Sequence, residues 1–148
     1  GLQIASGLLR SPDIEITASL LKAHTRPTPR LEEGRILSNL VSSMMDISDG
    51  LLLDASRIAA ASGVQIEIDL AELPLSRQFQ ALVGNDRHAR LKAATGGDDY
   101  QLLLTASPET VLSVPLTCVG ICRPGSGIAL HSHGERLELP EHLGFVHA

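Results

Sequence analysis

The 148 residues carry 12 basic and 17 acidic side chains, a net charge of −5, and 43% apolar side chains. That is about one domain, with enough apolar material to bury a core. The acidic balance excludes a general nucleic-acid surface, and three aromatic residues (Phe79, Tyr100 and Phe145) are too few for a base-stacking platform. No apolar run approaches the ~18–20 residues of a membrane span, and nothing reads as a signal peptide. Two cysteines, Cys118 and Cys122, fit a reducing cytoplasm better than a disulfide framework. The chain opens on Gly1 almost directly into helix-like sequence, which reads as a piece cut from something longer.

Residues 3–9 resemble the tail of a helix. Ser11, Pro12 and Asp13 predict a helix start, with Ser11 as N-cap, Pro12 in the first turn and Asp13 on the helix dipole. Ile14, Ala18 and Leu21, at i, i+4 and i+7, predict one buried face. Arg26-Pro27-Thr28-Pro29-Arg30 is a rigid linker, because neither proline suits a helix interior. A second helix is expected over 31–41, with Leu31, Ile36, Leu37 and Leu40 apolar. A short buried strand ending near Asp46 then runs straight into an apolar helix that stops at Ser62, with Gly63 as a left-handed cap. Apolar residues wrap most of that helix, which predicts that it is sandwiched.

Val64 to Asp69 alternates, the mark of a strand with one wet face. Leu73-Pro74-Leu75-Ser76 is a turn ending in an N-cap, before helices over 77–83 and 87–94. A strand from Tyr100 to Thr105 and a short helix capped by Ser107-Pro108-Glu109 follow. Leu116 to Cys122 is expected to form a hairpin with Gly127 to Ser132, before a last strand over 135–139. This order predicts an α/β (α+β) fold, a mixed sheet with helices packed on it rather than a doubly wound parallel sheet.

Met44 to Asp54 is chemically the richest stretch. Asp46, Ser48 and Asp49 sit where a strand C-terminus meets a helix N-terminus, where exposed N–H groups and the helix dipole favour a phosphate. The two carboxylates would repel that phosphate unless a cation lay between them, and all-oxygen ligands suit Mg²⁺. The residues equally allow Ser48 or Asp49 to be a plain N-cap and Asp46 an incidental strand end. A calcium EF-hand is excluded, since Gly50 falls one position early and Arg57 stands where a bidentate Glu is needed. No glycine-rich phosphate loop carries a lysine.

Gly96-Gly97-Asp98-Asp99-Tyr100 is a second acidic cluster. Adjacent acids on an extended chain face opposite ways, so one can meet a ligand while the other holds the loop. Solvated acids at a glycine turn are the plainer alternative. Cys118 and Cys122, about 13 Å apart along a strand, are beyond disulfide or shared-metal reach. His131 and His133 lie beside a turn and read as surface residues, and Asp54 with Arg57 reads as a helix-surface pair. No nucleophile arrangement is visible, so no catalytic residue is assigned.

Several motifs occur together in one order: Arg26-Pro27-Thr28-Pro29-Arg30 with Leu31 and Gly34, Met45-Asp46-Ile47-Ser48-Asp49-Gly50-Leu51, Ala61-Ser62-Gly63, Leu73-Pro74-Leu75-Ser76, Gly96-Gly97-Asp98-Asp99-Tyr100 and Gly144-Phe145-Val146-His147. In this the chain resembles the C-terminal domain of the thiamine-monophosphate kinases, in the aminoimidazole-ribonucleotide-synthetase superfamily, over nearly all its length. The resemblance implies a three-layer α/β domain with a partly ferredoxin-like sheet. It also implies transfer of the γ-phosphoryl of ATP to thiamine monophosphate, with Mg²⁺. By the same resemblance Asp46 and Asp49 bind Mg²⁺, Ser48 contacts ATP, and Asp98 and Phe145 contact thiamine monophosphate.

Three features depart from the family pattern. Asp98 is one methylene shorter than the usual Glu, Gln101 is uncharged, and the ending Phe145-Val146-His147-Ala148 lacks the final aromatic residue. Residues 1–148 would be the substrate-side domain of a longer kinase, homodimeric when complete. The N-terminal domain, which supplies most Mg²⁺ ligands and much of the ATP site, would be absent and this chain inactive alone. Two other readings are a selenophosphate- or purine-pathway-type synthetase domain of the same superfamily and a stand-alone small-molecule-binding or regulatory module.

Overall fold

Two strand assemblies share one helix. The computed structural model describes residues 2–9 and 13–145. In chain order these form α1 (Leu2–Ala5), α2 (Ile14–Thr25), α3 (Leu31–Leu37), β1 (Ser43–Asp46), α4 (Leu51–Ser62), β2 (Val64–Asp69), a 3₁₀ turn (Leu70–Glu72), α5 (Arg77–Val83), α6 (Arg87–Ala94), β3 (Leu102–Thr105), β4 (Gly120–Pro124), β5 (Gly127–Ser132) and β6 (Glu135–Leu137). β1 and β3 make an antiparallel ribbon, while the second sheet is mixed, in the order β4-β2-β5-β6. α4 packs on β2 and β5 of the sheet and on β1 and β3 of the ribbon.

The core follows from that position. Leu52, Ala55, Ile58 and Ala59 of α4 meet Ile66, Ile68 and Leu130 of the sheet. Ala60 and Ala61 are exposed, so the helix is covered on two sides rather than all round. Gly63 adopts the expected left-handed cap, φ 64°, and α4 hands over at once to β2. Ser76 and Asp86 cap α5 and α6 by accepting the N–H groups of Phe79 and Ala89.

Several sequence expectations change. β4 and β5 are not a hairpin: both pair with β2, β4 antiparallel and β5 parallel. The turn between them passes over Gln65, whose Cβ would lie 3.1 Å from a Cβ built on Gly125, so β2 fits between its two arms. β4 also begins late, at Gly120, because β2 ends at Asp69 and the chain then coils into the 3₁₀ turn, leaving residues 116–118 without a partner strand. Ser107 to Thr110 forms one turn, with the Ser107 hydroxyl against the Glu109 carboxylate, and no helix follows. Val111, Val114 and Pro115 disfavour its continuation.

The N-terminal helices are also less buried than their periodicity predicts. Ile14 is 83% exposed, Ala18 is exposed, and α2 has no buried residue. α3 ends at Leu37, its sole buried residue, with Leu31, Ile36 and Leu40 all exposed. The N-cap of α2 is Asp13, whose carboxylate accepts the N–H groups of Glu15 and Ile16; Ser11 and Pro12 lie outside the described residues. Cys118 and Cys122 are exposed free thiols.

Asp69 ties the end of β2 to two neighbours, accepting the N–H of Ala71 at 2.9 Å and of His133 at 3.2 Å. Burial pushes its carboxyl up, but the N–H donors of Ala71, His133 and Gly134 and the charge of His133 outweigh that, so its pKa is lowered. A lowered carboxyl stabilises the fold above its unfolded value and loses that contribution as pH falls through the folded one. Asp69→Asn is therefore expected to be less stable than the wild type at pH 7, with the gap in urea midpoint closing below about pH 4. Leu52 is fully buried. Leu52→Ala is expected to cost about 2–5 kcal/mol in urea unfolding, the range for a buried large-to-small change.

Candidate functional site

The site starts where β1 runs out. Asp46 is the last residue of β1, paired with Leu102, and its side chain is exposed. One step further the Ile47 N–H donates to the Gln101 carbonyl at 2.8 Å, still in ladder register. The pairing then slips: Tyr100 N–H donates to the Ile47 carbonyl and Asp98 N–H to the Ser48 carbonyl, both at 2.8 Å. Asp98 and Tyr100 hold positive φ angles, 62° and 53°. That is tolerable for Asp but costly for a bulky aromatic. These two turns explain why β3 begins at Leu102 rather than Tyr100. They also lay the second acidic motif directly against the first.

A third segment closes the junction. Phe145 N–H donates to the Asp49 carbonyl at 2.8 Å. Gly144 is needed there, since a Cβ would collide with the Asp49 carbonyl oxygen and stand 2.8 Å from Leu53 Cβ. The Phe145 residue is 56% exposed at the rim. Gly97 is under a similar constraint, with a Cβ falling 2.8 Å from the Ser48 carbonyl oxygen.

Two of the junction amides, those of Ser48 and Asp49, are already taken by a side chain of the protein. Helix α4 has Gly50, φ 125°, at its N-cap, and no side chain caps it there; neither Ser48 nor Asp49 takes that part. Instead the Asp54 carboxylate turns back from the first turn, its Oδ2 accepting the N–H of Ser48 at 2.9 Å and of Asp49 at 3.1 Å. Asp54 is 0% exposed, which corrects its reading as a surface residue. Its Oδ1 takes Arg57 Nη1 at 2.5 Å, and the same nitrogen reaches Asp49 Oδ2 at 2.6 Å. Arg57 is raised above its ordinary value by the Asp49 hydrogen bond first, with burial opposing and Asp54 adding. Asp49 itself is buried.

Asp54 was detectable in outline. It stands three residues after Leu51 and four before Ile58, on the face that both bury, and an acid there needs a partner.

Around the rim, negative charge collects. Tyr100 Oη donates to Asp98 Oδ1 at 3.3 Å, and His24 Nδ1 stands 3.7 Å from Asp98 Oδ2. The Tyr100 phenol is pushed up by the Asp98 charge, then by burial, with Asp46 and Asp49 contributing. Asp99 points elsewhere, near Arg30; although the residue is exposed, crowding of its carboxyl raises it and Arg30 opposes. Arg30 Nε also donates to Gln101 Oε1 at 2.9 Å. His24, Arg30 and Gly144 were not singled out as single residues in the sequence, because their parts depend on long-range contacts.

The chemistry on offer is therefore oxygen-rich and anionic: the Asp46 and Asp98 carboxylates, the Ser48 hydroxyl, an Asp49 carboxylate already shared with Arg57, and an aromatic edge. Among the described residues no group of three His, Cys, Asp or Glu side chains is placed to hold a metal ion. The fit to Mg²⁺, which takes six oxygens, is thus partial and needs donors from outside this set.

Residues 2–115 match the AIR synthase related protein, C-terminal domain family. The chain belongs to that family. Within it, the relatives over most of the chain are thiamine-monophosphate kinases, matched in their C-terminal part. The enzyme of Escherichia coli K12 is 38% identical over 130 residues, and that of Caulobacter vibrioides 29% over 146. These alignments take in 81% and 90% of this chain but 39% and 41% of the relatives, so the chain spans about two fifths of their length. Among solved structures, thiamine-monophosphate kinase from Stenotrophomonas maltophilia superposes with a TM-score of 0.76 at 34% identity, covering 91% of this chain and 46% of that one. AaThiL complexed with AMPPCP and TMP superposes with a TM-score of 0.79 at 30% identity, covering 98% and 46%. The mixed α/β architecture with its four-stranded mixed sheet is the fold of that family.

Gly97→Ala is expected to destabilise the chain by about 1–3 kcal/mol, the usual cost of overpacking, read from the urea midpoint. Because the clash is with the Ser48 carbonyl, the largest amide chemical-shift changes should centre on residues 47–50.

Proposed function

We propose that this chain is the substrate-side, C-terminal part of a cytoplasmic thiamine-monophosphate kinase, which uses ATP and Mg²⁺ to convert thiamine monophosphate to thiamine diphosphate. The observation that carries this reading is the convergence of residues 46–49, 97–101 and 144–145 through four backbone hydrogen bonds of 2.8 Å. These are the segments through which the chain resembles that family, and a relative of the same fold is a complex with AMPPCP and TMP.

Phosphoryl transfer asks a protein mainly for positioning and charge neutralisation, so the lack of an assigned nucleophile is consistent with it. In this reading Ser48 donates its hydroxyl to ATP, while Asp98 and Phe145 hold thiamine monophosphate. The ring face of Phe145 suits a cationic thiazolium. Asp46 and Asp49 would hold Mg²⁺, which when bound neutralises charge on the phosphates. Asp46 is the open carboxylate of the two, while Asp49 would have to share or release Arg57. The remaining donors would come from the nucleotide, water and an N-terminal domain, and the complete protein would be a homodimer.

The test is an assay of the full-length protein for thiamine diphosphate formation from thiamine monophosphate, ATP and Mg²⁺, beside the 148-residue chain alone and the full-length Asp46→Asn variant. The full-length protein is expected to turn over and the isolated chain to be silent. Asp46→Asn should lower kcat/KM by about a hundredfold or more, since metal charge stabilisation is worth several kcal/mol. Turnover by the isolated chain would remove the need for a second domain. A folded, inactive full-length protein would leave the small-molecule-binding module.

A further inference from the structure

Every backbone N–H and carbonyl of Ile47, Ser48 and Asp49 has a hydrogen-bond partner. The carbonyls of Ile47, Ser48 and Asp49 accept from Tyr100, Asp98 and Phe145, and the Ile47 N–H donates to Gln101. The N–H groups of Ser48 and Asp49 both go to one oxygen, Asp54 Oδ2. A fully buried carboxylate is tolerated when its charge is matched, and Arg57 Nη1 matches it at Oδ1 while also gripping Asp49. Asp54 thus supplies from inside the protein the anion that strand-to-helix amides otherwise take from a ligand.

We propose that Asp54 is a positioning residue: by holding the Ser48 and Asp49 amides, and by sharing Arg57 with Asp49, it sets the direction of the Ser48 hydroxyl and of the Asp49 carboxylate. This rests on the reading of Ser48 as the nucleotide contact. A charge-assisted hydrogen bond from a backbone amide is among the stronger ones, and one carboxylate oxygen here receives two. The loop cannot rotate its peptide planes without breaking both. With their amides occupied, Ser48 and Asp49 meet a nucleotide through side-chain oxygen. Asp54 touches no substrate in this arrangement; it acts through Ser48 and Asp49.

The first measurement is amide hydrogen exchange on the wild-type 148-residue chain by NMR. The Ser48 and Asp49 amides, whose shared acceptor is the Asp54 carboxylate, should exchange at least about a hundredfold more slowly than unprotected amides. Exchange at unprotected rates would overturn the proposal.

The second measurement compares Asp54→Asn with Leu52→Ala, a core change one turn-face away, in the full-length protein. Asp54→Asn should raise the KM for ATP about tenfold or more while leaving the KM for thiamine monophosphate within about twofold. Leu52→Ala should lower the unfolding midpoint without that split. Equal effects on both KM values in the two variants, at matched folded fraction, would reduce Asp54 to a stability residue. Should Asp54→Asn not fold, Arg57→Lys keeps the positive charge but loses the guanidinium shared by both acids, and should raise the ATP KM in the same selective way. An unchanged ATP KM there would overturn the proposal. If the wild-type protein makes no thiamine diphosphate, the kinase reading fails by itself, and hydrogen exchange still decides whether Asp54 holds the two amides.

Discussion

One buried carboxylate governs the middle of this protein. Asp54 is among the largest fully buried side chains, and it is the one acid among them. Burying it is favourable only because two amides and a guanidinium surround it, so the 48–49 loop and Arg57 have little freedom to be anywhere else. The loop in turn provides the carbonyls on which the 97–101 segment and residue 145 hang. Local order thus spreads outward from the first turn of α4, which is itself clamped between the sheet and the ribbon.

The junction divides its labour by group type. The Ser48 and Asp49 amides turn to Asp54, the carbonyls of Ile47, Ser48 and Asp49 serve the neighbouring segments, and the Asp46 carboxylate is left for the outside. Like charges gathered at such a rim repel one another, and the raised Tyr100 phenol registers that field. A ligand carrying a positive ring beside a phosphate, escorted by a divalent cation, would relieve it, which is the chemistry the proposed substrate pair brings.

How far the sequence could be read depended on how local each determinant was. The left-handed stop of α4 at Gly63, the alternation of β2 and the Ser76 cap are set by neighbouring residues, and all lie where their patterns place them, whereas α4 starts after Gly50 and is capped by neither Ser48 nor Asp49. The chemically rich stretch around Asp46 to Asp49 was also visible, as was the acidic loop at 98–99. The coupling between them was not, because it runs through backbone bonds across some fifty positions. Period alone misjudged Ile14 and Leu31, since an apolar stripe shows that a face can be covered and not that these residues cover it. The supposed hairpin at 116–132 failed for a related reason: a turn reverses the chain, but β2 filled the gap between the two arms. Asp54 and Arg57 have the spacing of an exposed ion pair, and the apolar neighbours on the same face carried the better clue.

The insertion of β2 between β4 and β5 also bears on how the chain is made. β2 is complete by residue 69, while its two flanking strands end at residues 124 and 132. During synthesis, both hydrogen-bonding edges of an Ile-rich strand therefore wait for more than fifty further residues before either can be covered. Non-local pairing of this kind slows folding and leaves open edges exposed to other chains. A ribosome stalled in that interval would hold a nascent protein whose helices can form but whose sheet has no way to close.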